Sequence, residues 1–189
     1  MSKTEAVYGL HAVQAVLTSA PERITTLLVL NGREDQRLQK LLQLAATHGI
    51  SCQSVGRKKL DAMVADENHQ GVVALCRPGQ VHDEGFLFVL LEKLTAPAFL
   101  LVLDGVTDPH NLGACMRSAE AAGVHAVIAP KDNAVGLNAT ARKVACGAAE
   151  VLPFIPVTNL ARTLEKLKSQ GVWVKGAAGE AKVSVYQAD

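Results

Sequence analysis

Residues 104–123, DGVTDPHNLGACMRSAEAAG, follow the apolar run AFLLVL and crowd Asn111, Gly113 and Arg117 into one turn-to-helix junction. Those three residue types suit a hydroxyl-bearing or anionic ligand. An amide near a helix start caps free N–H groups or holds a ligand hydroxyl. A glycine inside a first helical turn costs up to roughly 1 kcal/mol against alanine, so it signals the close approach of another group. Arg117, four residues after Gly113, stands one turn up on the same face, where its guanidinium reaches over the patch that the glycine leaves bare. Each residue alone has a plain structural explanation. Together, at the carboxyl end of an apolar strand, they point to a polyanion or ribose site.

The neighbouring groups are weaker candidates. His110 offers an imidazole suited to proton transfer near neutral pH, with Asp104 and Asp108 close enough in sequence to orient it or hold a metal. The same TDPH stretch equally forms a turn, with Pro109 fixing the chain entry and Asp108 capping locally. The carboxylates lack a metal-ligand pattern, so no metal is expected. Ser118 has no paired base and reads as ordinary helix. No GxxxxGK[ST] is present, and Gly105 and Gly113 are eight apart, which is not GxGxxG, so a plain nucleotide-binding loop is disfavoured.

The elements that must position this junction follow one grammar. The periodicity predicts strand 98–103, helix 111–122, strand 124–129, helix 137–146, strand 151–155, helix 159–170 and strand 172–176. Strands that are apolar throughout, separated by crossover helices, predict a parallel sheet covered on both faces. Before it, a helix carrying Leu10, Val13, Val16 and Leu17 leads to TLLVL (26–30) as a strand. A helix carrying Leu38, Leu41, Leu42 and Ala45 follows, stopped by Gly49. ISCQSV, KKLDAMV and GVVALC then read as strand, short helix and strand, an αβαβαβ unit. The Pro- and Gly-containing RPGQVHDEG reads as a linker, giving expected domains 1–76 and 86–189 joined by 77–85, and FLFVLLEKL opens the second as a helix.

Composition narrows the class. With 189 residues and 49% hydrophobic content the chain can bury a real core, and no stretch is apolar over the ~18 residues a membrane span needs, so a cytoplasmic protein is expected. Nineteen basic against eighteen acidic residues leave a net charge of +1, without the strongly basic signature of many nucleic-acid binders. Local clusters matter more: Arg57, Lys58 and Lys59 in GRKKL, and Arg142 and Lys143 in ARKV, are each a phosphate contact or a solvated face. His69, Gln70 and Gly71 precede a strand and either meet RNA or form a polar turn. Four phenylalanines, two tyrosines and one tryptophan are too few for a sheet that stacks successive bases. Cys52, Cys76, Cys115 and Cys146 form neither a zinc pair nor CxxC and read as buried thiols, with Cys146 a small apolar packer.

DPHNLGACMRSAEAAGVHAVI resembles the first motif of the SpoU (TrmH-type) branch of the SPOUT RNA methyltransferases, an Asn-x-Gly-x-x-x-Arg pattern met by Asn111, Gly113 and Arg117. YGLHAVQAVL, HQGVVA, LNATARKVACGAAE and VTNLARTL extend the resemblance over nearly the whole chain. It implies an α/β protein: a small ribosomal-protein-like RNA-binding domain, then a parallel-sheet SPOUT (α/β knot) catalytic domain. It implies transfer of a methyl group from S-adenosylmethionine to the ribose 2′-hydroxyl of a guanosine in large-subunit (23S) ribosomal RNA. Arg117 is then the catalytic arginine, Asn111 orients the ribose or its loop, and Gly113 leaves room for the sugar-phosphate. A guanidinium stays protonated in proteins, so Arg117 is expected to stabilise the forming alkoxide, not to act as a base. Ala178 and Gly179 match the loop lining the family's cofactor pocket, and Arg33, Arg57, Lys58, Lys59, His69 and Gln70 are the expected RNA contacts of the first domain.

The family continues with a Gly-x-Glu-x-x-Gly stretch and a later segment with Ser and Asn, which form the knot, most of the cofactor pocket and much of the dimer interface. No counterpart occurs in these 189 residues. The expectation is therefore a chain that stops before the knot and binds S-adenosylmethionine poorly or not at all by itself, with a homodimer expected for the complete chain. The alternative is a noncatalytic RNA-binding module.

Overall fold

A computed structural model describes residues 4–65, 67–79, 82–184 and 187. The first unit runs β1 (Glu5–Tyr8), α1 (Leu10–Ser19), β2 (Ile24–Leu30), α2 (Gln36–Thr47), β3 (Cys52–Val55), α3 (Arg57–Met63) and β4 (Val72–Cys76). The second runs α4 (Glu84–Lys93), β5 (Leu100–Val102), α5 (Pro109–Ala121), β6 (Ala126–Pro130), α6 (Ala139–Val144), α7 (Ala148–Val151), β7 (Phe154–Val157) and α8 (Leu160–Ser169). No described helix is long and apolar enough to cross a membrane.

The first sheet has strand order β1-β4-β2-β3. β4 pairs antiparallel with β1 and β2, and β2 pairs parallel with β3. The four-residue β1, EAVY, is too short and too mixed to carry an alternating signal, so the unit has one more strand than its sequence pattern predicts. Val13, Val16 and Leu17 of α1 and Leu38, Leu41 and Ala45 of α2 bury one sheet face, and Leu60 of α3 covers the other with Leu28, Val55 and Val73. Asp35 starts α2 sharply by accepting the N–H groups of Arg37 and Leu38.

The second sheet, β5-β6-β7, is wholly parallel, as the apolar runs predict. α5, α6 and α7 pack on one face through Leu112, Met116, Ala119, Ala141, Ala145 and Ala148. Leu87 of α4 and Leu167 of α8 pack on the other against Ile128 and Ile155. β6 lies in the middle, and Ala126 to Ala129 are all buried.

Several local expectations differ from the structure. The helix predicted over 137–146 is shorter, Ala139–Val144, and a second helix follows it, because Cys146 (φ 52°) and Gly147 (φ 98°) both take the left-handed conformation. α7 then occupies 148–151, and the strand predicted at 151–155 starts late, at Phe154. Residues 172–176 form no strand: they join no sheet among the described residues, the Val172 N–H donates to the Leu167 carbonyl of the preceding helix, and Trp173 is 86% exposed. The thiols are free but not uniformly buried; Cys76 is buried, whereas Cys52 and Cys146 are exposed, the latter at a left-handed backbone position.

The break at Gly147 is where the two units meet. A Cβ there would stand 3.0 Å from Ala15 Cβ and 3.1 Å from the His11 carbonyl oxygen, so α1 rests directly on the α6–α7 corner. Beside it Arg23 donates to Glu150 at 3.1 Å and also bonds Glu5, while Arg142 donates to the other Glu150 oxygen at 2.8 Å.

Candidate active site

α5 begins where β5 leaves the sheet. Asp108 is its N-cap, its Oδ1 accepting the His110 N–H at 2.9 Å, and Pro109 fills the first helical position. Asn111 therefore lies inside the first turn, not at the cap. Its amide is exposed and has no hydrogen-bond partner among the described residues, so it is free for a ligand. His110 and Asp104 are exposed as well, and their side chains are likewise unpartnered there, so nothing orients the imidazole as a base.

Gly113 is buried beneath α6. A Cβ at this position would meet the Ala141 carbonyl oxygen at 2.6 Å, Val144 Cβ at 2.7 Å and the Ala145 nitrogen at 3.0 Å. The close approach that the glycine announces is thus made by a helix backbone, which fills the room expected for a sugar-phosphate.

Arg117 is exposed, with no hydrogen bond or ion pair among the described residues. Cα–Cβ bonds on a helix tilt toward its N-terminus, so the Arg117 side chain leaves α5 on the side of the carboxyl edge of the sheet. At about 100° per residue, Arg117 lies only about 40° around α5 from Gly113 but about 120° from Asn111. The helix therefore places the arginine beside the α5–α6 seam and the amide on a separate exposed face.

The expected RNA contacts sort into groups. Arg33, Arg57, His69 and Gln70 line one open concavity of about 510 Å³ on the first unit. Two of them are structural. His69 is 3% exposed; its Nδ1 accepts the Gly71 N–H at 2.9 Å, so the ring proton sits on Nε2 and points to Asp61, 2.9 Å away. Gln70 Oε1 accepts the Leu10 N–H at 3.2 Å, closing the open start of α1. Arg33 bonds Asp35 and the Gln70 carbonyl, and a Cβ at Gly71 (φ 69°) would press on its side chain. Arg57, Lys58 and Lys59 are exposed on the first turn of α3 without an ion pair among the described residues.

Arg142 and Lys143 face the cleft between the two units, a space of about 570 Å³. Arg142 is committed to Glu150 at 2.8 Å, and Lys143 is paired with Glu67 of the first unit. That bond to Glu67 raises the lysine pKa, and burial, helped by Glu67, raises that of Tyr8 on the cleft wall. Ala178 and Gly179 are exposed after α8, and nothing lies within 4 Å of a Cβ built on Gly179. By themselves they enclose no cofactor.

The sequence reading missed Arg23, Glu67 and Glu150. The Arg23–Glu150 contact spans 127 positions, and no local pattern announces it. The one available signal is Gly147, a helix-breaking glycine three residues before a lone glutamate.

Two family models of the RNA ribose methyltransferases match the two units, and relatives more than half identical run the length of the chain, so the chain belongs to the SpoU rRNA methylase family. The model for RNA 2′-O ribose methyltransferase substrate binding matches residues 6–81, and that for the SpoU rRNA methylase family matches residues 98–189. The chain is 56% identical over 189 residues to a Pseudomonas aeruginosa protein named 23S rRNA (guanosine-2′-O-)-methyltransferase RlmB, covering 100% of this chain and 76% of that protein. It is 53% identical over 189 residues to the protein of that name in Shewanella oneidensis, with the same shares covered. In fold it is similar to the SpoU methyltransferase AviRb of Streptomyces viridochromogenes, solved in complex with the cofactor AdoMet, with a TM-score of 0.64 at 18% identity. That match covers 88% of this chain and 58% of AviRb, so the chain spans under two thirds of the solved protein.

Proposed function

We propose that this chain carries the RNA-binding and arginine side of an enzyme that methylates the ribose 2′-hydroxyl of a guanosine in 23S ribosomal RNA, with S-adenosylmethionine as methyl donor. The observation that carries the reading is Arg117: a permanent cation, exposed and free of any carboxylate among the described residues, on the helix that follows the first strand of a parallel sheet.

The cofactor supplies a methyl carbon made electrophilic by its sulfonium, and the hard part left to the protein is the nucleophile. A ribose hydroxyl is a weak acid, so negative charge must be accepted as its oxygen attacks. Arg117 offers fixed N–H donors to that oxygen, while the proton leaves to water or phosphate. Asn111, unpartnered on its exposed face, orients the ribose or the adjoining loop. Gly113 acts indirectly by letting α6 seat against α5, which sets the platform from which Arg117 projects. No step is assigned to Ala178 and Gly179.

Arg57, Lys58 and Lys59, with Arg33 beside them, supply phosphate contacts on the first unit. A division at residues 77–85 belongs to the same reading; residues 80 and 81 of that stretch lie outside the described ones. So do a homodimer, supported by the exposed Phe99, Trp173 and Val174, and a place in the cytoplasm beside the ribosomal RNA.

The test, in the protein carried to the full length of its relatives, is transfer of labelled methyl groups to large-subunit ribosomal RNA fragments, with the product located by its resistance to alkaline hydrolysis. Arg117→Ala is expected to lower transfer by about two to three orders of magnitude while RNA affinity stays within about two-fold. Equal losses of both would make Arg117 a binding residue and favour the noncatalytic module.

A further inference from the structure

Among the described residues two ion pairs cross between the first and second units, and they differ in kind. Arg23 reaches Glu150, whose side chain is 3% exposed and which also takes Arg142 at 2.8 Å. Lys143 reaches Glu67, and these side chains are 39% and 44% exposed. The cleft of about 570 Å³ is lined by all of these groups except Arg23.

Glu150 cannot be released cheaply: drawing Arg142 away weakens the compensation of a carboxylate that water does not reach. Glu67 can be released, because an exposed pair is held weakly, is screened by salt, and leaves both partners able to rehydrate. A phosphodiester oxygen offers an ammonium the same charge-assisted hydrogen bond that a carboxylate does. Glu5 and Glu150 are occupied by Arg23 and Arg142, so the exchangeable charge in the cleft is set by Lys143 and Glu67.

We propose that the cleft between the two units is a binding site for an RNA phosphodiester with Lys143 as its cation, and that Glu67 holds Lys143 as a carboxylate stand-in until RNA displaces it. The proposal rests on the RNA methyltransferase reading above and deepens it. It makes Glu67 an autoinhibitory contact and leaves the Arg23–Glu150–Arg142 joint as the fixed side of the cleft. RNA entry exchanges one anion for another at Lys143 while the joint stays closed.

The test is fluorescence anisotropy of a labelled hairpin transcript from large-subunit ribosomal RNA, titrated with protein over a series of salt concentrations. Glu67→Gln is expected to bind about two- to five-fold tighter than wild type. Glu92→Gln, the same charge change on exposed α4, is the control and should gain less. Lys143→Met should weaken binding and flatten the plot of log affinity against log salt by roughly 0.7–0.9. In the Lys143→Met background, Glu67→Gln should give no gain beyond that of the control. Wild-type or weaker affinity in Glu67→Gln, or a full gain that persists without Lys143, overturns the stand-in. If the wild-type protein fails to bind the transcript at all, the proposed function falls with it, and the two failures are thereby told apart.

Discussion

Gly113→Ala puts a methyl group 2.6 Å from the Ala141 carbonyl oxygen, 2.7 Å from Val144 Cβ and 3.0 Å from the Ala145 nitrogen. Two of these are backbone atoms and the third is the first carbon of a β-branched side chain, so no rotamer change relieves the contact. Helix α6 must recede by about 0.8 Å, the difference between 2.6 Å and an ordinary 3.4 Å contact. Overpacking of this kind costs about 1–3 kcal/mol, and rigid contacts put it toward the upper end. Alanine returns up to about 1 kcal/mol of helix propensity, leaving a net loss of about 2 kcal/mol. For a protein of this size that lowers Tm by about 4–8 °C. Urea unfolding followed by circular dichroism measures it, with Gly136→Ala as control, since no heavy atom lies within 4 Å of a Cβ there. The control should stay within about 0.5 kcal/mol of wild type. If Gly113→Ala unfolds at the wild-type urea concentration or above it, α5 and α6 are not packed as described, and the glycine must be explained by a ligand after all.

Glu150→Ala removes the carboxylate shared by Arg23 and Arg142 and is expected to cost about 2–4 kcal/mol in the same assay; a loss under about 1 kcal/mol would mean that both guanidinium groups rehydrate freely. The Arg33 side chain and the α2 N–H groups hold the Asp35 carboxyl below the usual aspartate range. Its contribution is therefore present above the unfolded pKa of about 3.9 and is lost as pH falls through the lower folded value. Asp35→Asn should flatten the acid limb of a stability–pH profile, and an unchanged limb would remove charge from the explanation of that cap. Burial pushes the Cys76 thiol up to about 12, so at pH 8 Cys146 and Cys52 should react with a maleimide in the folded protein, and Cys76 only after unfolding. Labelling of Cys76 at a rate matching Cys146 would contradict the core around β4.

Much of the architecture is legible in the chain because its signals are local. Asp108–Pro109 sets the start of α5, Leu160, Thr163, Leu164 and Leu167 mark the inner face of α8, and unbroken apolar runs announce a parallel sheet. The errors fall where a local signal is weak or ambiguous. EAVY is half-buried and short, and ACGAA is a helix-forming composition broken only by backbone dihedrals at Cys146 and Gly147. The run after Gly171 has strand-like residues but joins no sheet among the described residues, and an extended segment without a paired neighbour is not a strand.

The candidate site divides the same way. Sequence alone determined which residues stand at the junction, that Gly113 admits a close neighbour, and that Arg117 shares its side of the helix, because helical period and glycine's missing Cβ are properties of the local chain. Tertiary structure decided who the neighbour is, placing the Ala141 carbonyl where open space for a ligand was expected. It also turned His69 and Gln70 into supports of a turn, bound Arg142 to a buried glutamate, and left Lys143 on an exposed one. Whether a charged side chain is spent or free depends on which faces dock: Arg23 meets Glu150 across 127 positions and Lys143 meets Glu67 across 76, separations that no local pattern of sequence spans.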